Sequence, residues 1–208
     1  VLFRSSLNIA GIRKLTKKMS GGTRYSAALR IKNQRPELTI DSSLVGLSLD
    51  LPVPLVKSIS ETMPLRFAMS PLNSLDPTVQ QEEIKINLGK NIAARYVRQR
   101  VNSRNSPWKL VRGGIGVNLS PPQPEGGLAI NMNVPSLDVD TWRSTITSLT
   151  ADQSTSAESS AGAADYNNFI TPDTIGIRAN ELTIADRVLT NAVLGASRQR
   201  DEIGRAHV

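Results

Sequence analysis

The sequence predicts an all-β protein with an antiparallel sheet and one or two short helices. Apolar and polar residues alternate in many short segments, as from Leu128 to Met132, and this period of two is typical of strands with one apolar face. Stretches rich in proline and glycine, such as residues 121–127, separate the segments. Many short strands punctuated in this way favour an antiparallel, all-β architecture.

The same alternation predicts which side chains share a face. Because every second residue of a strand points to the same side, one set of apolar positions should line one face of the sheet. The phase of the alternation changes near Gly46, where we predict a bulge, and the pattern returns over residues 175–196. The expected members of the face are Leu47, Leu49, Leu65, Phe67, Met69, Ile84, Ile86, Leu88, Leu128, Ile130 and Met132.

Helical spacing is clearest in the segment Asp138–Leu149. Asp138 or Asp140 can accept hydrogen bonds from the amides of a first turn, and Trp142 and Ile146 lie one helical turn apart. We therefore predict one amphipathic helix in this segment.

Both ends of the chain are expected to be non-native. They resemble translations of the two complementary strands of a sequencing adapter, so we expect the native protein to continue beyond them. Near the start, a pattern over residues 9–19 could form one or two helical turns. The predicted organisation is an adapter-derived segment at 1–5, a β-segment at 6–149, a flexible Ser/Ala-rich linker at 150–168, the start of a next β-segment at 169–201 and a second adapter-derived segment at 202–208.

Composition excludes several kinds of catalytic site. The 208 residues include no cysteine and one histidine, His207, which lies in the adapter-like end. Ser-His-Asp and Cys-His catalysis and most zinc sites are therefore excluded from the native part, and no glycine-rich phosphate loop precedes a helix. We expect no catalytic residue, no metal and no cofactor, and predict that the protein is not an enzyme. No apolar run approaches the roughly 20 residues of a membrane helix.

A basic cluster interrupts the alternating pattern. Arg95, Arg98, Arg100 and Arg104 lie close together in the sequence, with Tyr96 among them. Such a cluster could contact anionic headgroups or nucleic acid. A solvated face of a strand and turn is the interpretation that we favour, because charge runs are commonly solvated.

Other motifs have structural interpretations. Glu82 and Glu83 should be solvated charges where a strand begins, and the Gly113–Gly116 run should mark a bend or bulge between strands. Trp108 and Trp142 are expected to be packing anchors and not platforms for a ligand.

Four segments, in order along the chain, resemble the YhdP-type proteins of the AsmA-like family. They are residues 20–29, 38–57, 137–142 and 177–182, and the most specific part is the Gly-Leu-Ser-Leu-Asp-Leu-Pro-Val-Pro stretch that begins at Gly46. The resemblance covers nearly all of residues 6–201. Tyr25 stands where the family pattern has tryptophan, and Ser43 where it has aspartate.

The resemblance implies a long, curved sheet whose apolar face forms a groove. It implies a periplasmic protein of a Gram-negative bacterium, anchored in the inner membrane by an N-terminal helix outside these residues. Related proteins are thought to carry phospholipid towards the outer membrane. The eleven expected face residues would then contact phospholipid acyl chains, and the resemblance implies neither a nucleic-acid partner nor a required oligomer.

Two other functions remain open at the level of the sequence. From the pattern alone, an ordinary β-sandwich is favoured, which would fit a structural or adhesive module of a secreted or surface protein. A basic β domain could also bind nucleic acid through residues 95–104, but this would require exposed aromatic side chains beside the arginines, and only Tyr96 is a candidate.

Overall fold

The computed structural model describes residues 16–102, 106–150 and 172–198. A single 3-10 turn at Thr16–Lys18 precedes the first strand. The strands are β1 (Met19–Gly21), β2 (Tyr25–Lys32), β3 (Arg35–Ser42), β4 (Leu47–Leu49), β5 (Leu65–Leu72), β6 (Val79–Leu88), β7 (Ile92–Val101), β8 (Lys109–Val117), β9 (Gly127–Asp138), β10 (Thr174–Ile184) and β11 (Arg187–Ser197), and the helix α1 (Val139–Thr150) follows β9.

Nine of these strands form one open sheet in the order β11-β10-β9-β8-β7-β6-β5-β3-β2. The predicted all-β class with one or two short helices is confirmed, and the described residues contain one α-helix. The expectation of a purely antiparallel sheet is wrong, because β9 runs parallel to both of its neighbours, β8 and β10. The remaining pairs are antiparallel. Strands β10 and β11, predicted as the start of a next segment, extend this same sheet.

The parallel pairing of β8 with β9 depends on glycines. The loop 118–126 must return along the length of β8 before β9 can begin, and it crosses the sheet surface at Gly114 and Gly116. A Cβ atom on Gly114 would lie 1.8 Å from the Pro122 carbonyl oxygen, and one on Gly116 would lie 2.2 Å from that of Leu119. Only glycine allows this close approach. The Gly113–Gly116 run therefore lies inside β8 and not at a bend between strands, and the pairing of β8 with β7 shifts register just before it, between Leu110 and Arg112.

Strands β9 and β10 change the phase of their alternation together. In both strands, buried residues of one cluster lie three positions apart, Val134 with Leu137 and Ala179 with Leu182. Pro135, which cannot donate to a ladder, lies in the interval on β9. Because both strands shift at the same level, their register continues unbroken on either side.

One proline and one glycine occupy positions that differ from the prediction. Prolines were expected to separate the strands, but Pro71 lies inside β5, beyond Met69, the last β5 residue that pairs with β3. The missing N–H of Pro71 therefore costs no hydrogen bond between β5 and β3. At Gly46, where a bulge was predicted, the chain instead leaves the large sheet in a turn with φ +89° and enters β4.

Strands β1 and β4 form a separate two-stranded sheet that we call, together with the loop up to Pro64, the cap. Its core consists of Leu44, Leu49 and Met63, which pack against Leu65 and Leu88 of the large sheet. Lys57 holds the loop together: its side chain is buried, and its Nζ donates to the carbonyls of Leu47 (2.6 Å) and Ser58 (2.9 Å).

Helix α1 begins where Asp138 caps it, as predicted. The Asp138 carboxylate accepts from the Thr141 amide at 2.8 Å and from the Thr141 hydroxyl at 2.6 Å. Both bonds favour the ionised form, so they lower the pKa of Asp138. Val139 and Trp142 then pack onto the sheet. Residues 9–15 of the predicted first helix and residues 151–168 of the predicted linker lie outside the described residues, as do both predicted adapter segments.

Candidate functional site

One face of the large sheet, which we call the apolar face, is apolar across all nine strands. Because paired residues of neighbouring strands point to the same side, the register assigns each side chain to a face. Its members on β2 to β8 are Leu29, Leu38, Ile40, Leu65, Phe67, Met69, Ile84, Ile86, Leu88, Ile92, Ala94, Tyr96, Ile115 and Val117. On β9 and β10 they are Leu128, Ile130, Met132, Val134, Ile175, Ile177 and Ala179.

Most of the residues predicted to share a face do so. Leu65, Phe67, Met69, Ile84, Ile86, Leu88, Leu128, Ile130 and Met132 all belong to the apolar face. Leu47 and Leu49 do not, because they lie on β4, in the separate small sheet, where they contribute to the core of the cap. The alternation of Leu47 and Leu49 correctly indicated a strand, but that strand belongs to the small sheet.

One part of the apolar face, which we call the covered end, lies under other elements. The cap packs on Leu65 and Leu88, and α1 packs through Trp142 on a buried cluster that includes Val117 and Val134. The Trp142 Nε1 atom donates to the Val53 carbonyl of the cap at 2.8 Å, so the helix and the cap are joined. As predicted, Trp142 is a packing anchor.

The middle of the apolar face, which we call the open stripe and which includes Ile40, Phe67, Ile84, Ile86 and Ile130, has no such cover among the described residues. Leu128 lies on the same face but is 1% exposed and does not belong to the open stripe. Neither of the two buried clusters includes Ile40, Phe67, Ile84, Ile86 or Ile130. Their side chains are partly exposed, although they lie on interior strands of the sheet. The open stripe is therefore an apolar surface in contact with solvent and not part of a closed core.

The opposite face, which we call the polar face, carries ion pairs at its centre. Glu83 on β6 pairs with Lys85 at 2.9 Å and with Arg95 on β7, and Arg95 also donates to Gln123 of the loop that crosses β8, at 2.7 Å. Burial raises the pKa of Glu83, but hydrogen bonds from Lys85 and Arg95 outweigh that effect and lower it below its ordinary value.

The expectation of solvated charges at Glu82 and Glu83 is wrong. Both residues lie within β6, an interior strand, and are 9% and 5% exposed. Being adjacent, they point to opposite faces, where each is paired with an arginine of β7: Glu82 with Arg98, and Glu83 with Arg95. Their burial is compatible with charge only because of these partners.

The basic cluster is also divided between the faces, contrary to the prediction of one solvated face. Arg95 lies on the polar face, whereas Arg98 and Arg100 lie on the apolar face with Tyr96. The Tyr96 ring covers Gly113, where a Cβ atom would lie 2.7 Å from the ring, and burial raises the pKa of its hydroxyl. Arg104 lies outside the described residues.

Trp108, expected to be a packing anchor, contacts both arginines of the apolar face. The guanidinium carbons of Arg98 and Arg100 each lie 4.7 Å from the centroid of its ring. These distances are typical of cation–π contacts. The sequence identified Tyr96 as the aromatic partner of the cluster, but Trp108 holds that position because it precedes β8, the neighbour of β7.

The described part of the chain contains no cluster of three or more acidic or histidine side chains that could hold a metal ion. In the same residues, no helix combines the length and apolar character that crossing a bilayer requires. The arrangement offers an extended apolar surface bordered by paired charges, which is suited to binding an apolar ligand.

A comparison with known families decides the family. The family model described as "YhdP protein" matches residues 3–208, which is nearly the whole chain and includes most of both predicted adapter segments. The chain belongs to the YhdP family. No significant match was found among curated proteins or among solved structures. Membership of the YhdP family makes this a bacterial envelope protein of the AsmA-like group and is consistent with a role in lipid transport.

The YhdP-type sheet includes face residues that were absent from the predicted set. Leu38, Ile92, Tyr96, Ile115 and Ile177 lie in register with predicted members on neighbouring strands. The alternation at Ile115 and Ile177 was already visible in the sequence, but strand pairing was needed to assign it to this face. Tyr96 was not predicted as a face residue because it lies within the run of arginines.

Proposed function

We propose that the open stripe binds phospholipid acyl chains and conducts them along a groove of an inner-membrane-anchored periplasmic protein, towards the outer membrane. The observation that carries this proposal is an apolar surface that continues across the sheet and that, over the open stripe, no other described element covers. The YhdP family is consistent with lipid transport and supports the choice of ligand. In this proposal the protein binds and does not catalyse.

The energetics of lipid transfer require such a surface. Each methylene group exposed to water costs about 0.8 kcal/mol, so a phospholipid with two long chains costs on the order of 20 kcal/mol to expose. A carrier must therefore offer apolar contact along the whole path. Leucine, isoleucine and methionine side chains, which dominate the open stripe, can pack against many chain conformations and need no fixed polar partner.

The dimensions of the sheet also fit. Nine strands spaced about 4.8 Å apart make a surface roughly 40 Å across, perpendicular to the strands. One leaflet of a bilayer has an apolar depth of about 15 Å, half of the hydrocarbon core, which approximates the length of an acyl chain. A chain that lies across the strands can therefore remain in apolar contact along its full length.

Adjacent residues of β6 provide a matched test. Ile86 lies on the open stripe and Asn87 lies on the polar face, so Ile86→Asp and Asn87→Asp introduce the same charge on opposite sides of one strand. An unpaired carboxylate beside acyl chains costs several kcal/mol or becomes protonated. We expect mass spectrometry of gently purified protein to show bound phospholipid in the wild type and in Asn87→Asp, and to show much less in Ile86→Asp.

Photo-crosslinking distinguishes the proposal from a structural role of the face. Crosslinking groups at Ile84 and Ile130 should label lipid, whereas groups at Lys85 and Asn131, on the polar face, should not. Equal labelling from both faces, or no labelling of a sample whose circular dichroism shows a folded sheet, would contradict a lipid-binding stripe. The apolar face would then be a surface covered by another protein segment, as in a structural module.

A further inference from the structure

The apolar face becomes charged within one residue pair at the end opposite the cap. On β6 the face residues run from Ile84 to Glu82 and Gln80, and on β7 from Tyr96 to Arg98 and Arg100. Across the two strands, Ile84 pairs with Tyr96, Glu82 with Arg98, and Gln80 with Arg100. The boundary between apolar and polar surface therefore runs across two neighbouring strands at one level.

The two arginines beyond this boundary differ in their partners. Arg98 is neutralised by Glu82, and its Nη2 also contacts the Met69 sulfur at 3.8 Å. Arg100 donates through Nε to the Gln80 side-chain oxygen at 2.9 Å, and among the described residues no carboxylate pairs with it. Gln80 is a neutral amide, so no described residue compensates the positive charge of Arg100.

The geometry of Arg100 is fixed from two sides. The Gln80 amide is oriented because its nitrogen donates to Asn102 at 3.0 Å, which directs its oxygen towards Arg100. The Trp108 ring lies against the guanidinium of Arg100 and limits its motion. With Nε bonded to Gln80, the two Nη groups have no hydrogen-bond partner among the described residues, so a pair of donors remains available on a guanidinium held in place.

We propose that Arg100, held by Gln80 and Trp108, binds the phosphodiester of a phospholipid whose acyl chains lie on the open stripe. This inference rests on the proposed function. A planar guanidinium offers parallel donors to two phosphate oxygens, and one uncompensated positive charge matches the single negative charge of a phosphodiester. Trp108 is suited to the boundary itself, because tryptophan combines an apolar ring with a polar N–H.

The site favours lipids with a net negative headgroup. A zwitterionic headgroup carries an amine as well as the phosphate, and Glu82, the acidic residue on the charged part of this face of β6 and β7, is already paired with Arg98. The amine would therefore lose water without gaining a partner.

Three probes separate the contributions of chains and phosphate. Isothermal titration calorimetry on the 208-residue chain compares dioctanoyl phosphatidylglycerol, dioctanoylglycerol, which has the same chains without phosphate, and glycerol 3-phosphate, which has the phosphate without chains. We expect the phospholipid to bind roughly tenfold more tightly than dioctanoylglycerol, and glycerol 3-phosphate to bind weakly.

Two variants test the assignment to Arg100. Arg100→Gln should abolish the difference between the phospholipid and dioctanoylglycerol while leaving the binding of dioctanoylglycerol unchanged. Gln80→Glu keeps Arg100 and Trp108 in place but adds a carboxylate beside the guanidinium, so it should abolish the same difference even if Arg100→Gln fails to fold. Arg30→Gln, an exposed position on the polar face, is the matched control and should have no effect.

Each result has one meaning. If the wild type binds the phospholipid and dioctanoylglycerol equally, the headgroup site is overturned while the acyl-chain proposal stands. If neither lipid binds, the proposed function fails and the headgroup site fails with it. If glycerol 3-phosphate binds as tightly as the phospholipid, Arg100 binds free phosphate esters, and the assignment to a lipid headgroup is overturned.

Discussion

The covered end and the open stripe of the apolar face differ in what lies on top of them. Both consist mainly of aliphatic side chains on the same side of the same sheet. At the covered end, the cap completes one buried cluster and α1 packs on another, in which Leu182 and Ala179 are 0% exposed. Over the open stripe, Phe67 and Ile86 remain partly exposed. An alternating pattern therefore predicts an apolar face, but the elements that cross the sheet decide whether that face becomes core.

The largest expected effect tests whether the covered end is the stabilising part of the face. Leu182→Ala removes a fully buried side chain and should lower the free energy of unfolding by about 3 kcal/mol, since large-to-small changes in a core cost about 2–5 kcal/mol. Ile86→Ala, on the open stripe, should cost about 1 kcal/mol or less because less surface is buried there. Urea denaturation measures both. Similar losses would mean that the open stripe is as well packed as the covered end.

Glycines of the polar face also differ in whether another part of the chain covers them. Gly114 lies under the loop 118–126, whereas a Cβ atom on Gly195 of the edge strand β11 would have no neighbour within 4 Å. Gly114→Ala must displace Pro122 and should cost about 2 kcal/mol, a typical penalty for overpacking. Gly195→Ala should be neutral or slightly stabilising, because it restricts the unfolded chain. Thermal denaturation followed by circular dichroism can compare them, and equal shifts in Tm would contradict the close approach of the loop.

Removing the hydrogen bond between the helix and the cap should have a smaller effect on stability. Trp142→Phe keeps an aromatic ring but removes the N–H that donates to Val53, and a single hydrogen bond of this kind contributes about 1 kcal/mol. Hydrogen exchange should become faster in α1 and in the cap and remain unchanged in the strands of the open stripe. Unchanged exchange in α1 would show that packing alone holds the helix.

The smallest expected effect compares a buried ion pair with an exposed one. The lowered pKa of Glu83 means that its ionised form stabilises the fold at neutral pH and that this contribution is lost as the pH falls below the unfolded value of 4.5. Glu83→Gln should therefore lower the stability by about 1 kcal/mol at pH 7, and the difference should shrink towards pH 3.

Asp41→Asn is the control for this pH dependence. Asp41 and Arg66 lie 3.4 Å apart, with side chains 45% and 64% exposed, so solvent screens their attraction. A difference between wild type and Glu83→Gln that persists unchanged at pH 3 would show that hydrogen bonding and packing, not ionisation, explain the loss.

The sequence was sufficient to predict strands and faces where the pattern is local. The alternation in β5, β6 and β9 placed Phe67, Ile86 and Ile130 on one face, and Asp138 marked the start of α1. It could not distinguish Leu47 and Leu49 from that set, because period-two alternation has the same form in any sheet.

Pairing across strands accounts for the remaining differences. The burial of Glu83 depends on Arg95, which lies on the neighbouring strand β7. The position of Arg100 depends on Trp108, which immediately precedes the neighbouring strand β8. A charge run alone favours solvation, because its partners are not visible in the run itself. The parallel direction of β9 likewise depends on the loop that crosses Gly114, a long-range contact that the turn residues do not reveal.

The position of β9 between two parallel neighbours has a consequence for the order in which the chain assembles. Strands β5 to β8 follow one another directly in sequence and in space, so each pairing closes a short loop at small entropic cost. Strand β9 must wait for the loop 118–126 to cross β8, and β10 reaches β9 only after α1 and the residues that follow it. Contacts between distant residues slow folding, so we expect the rate-limiting step to be the pairing of β9 and β10, after the antiparallel strands that display the open stripe have paired.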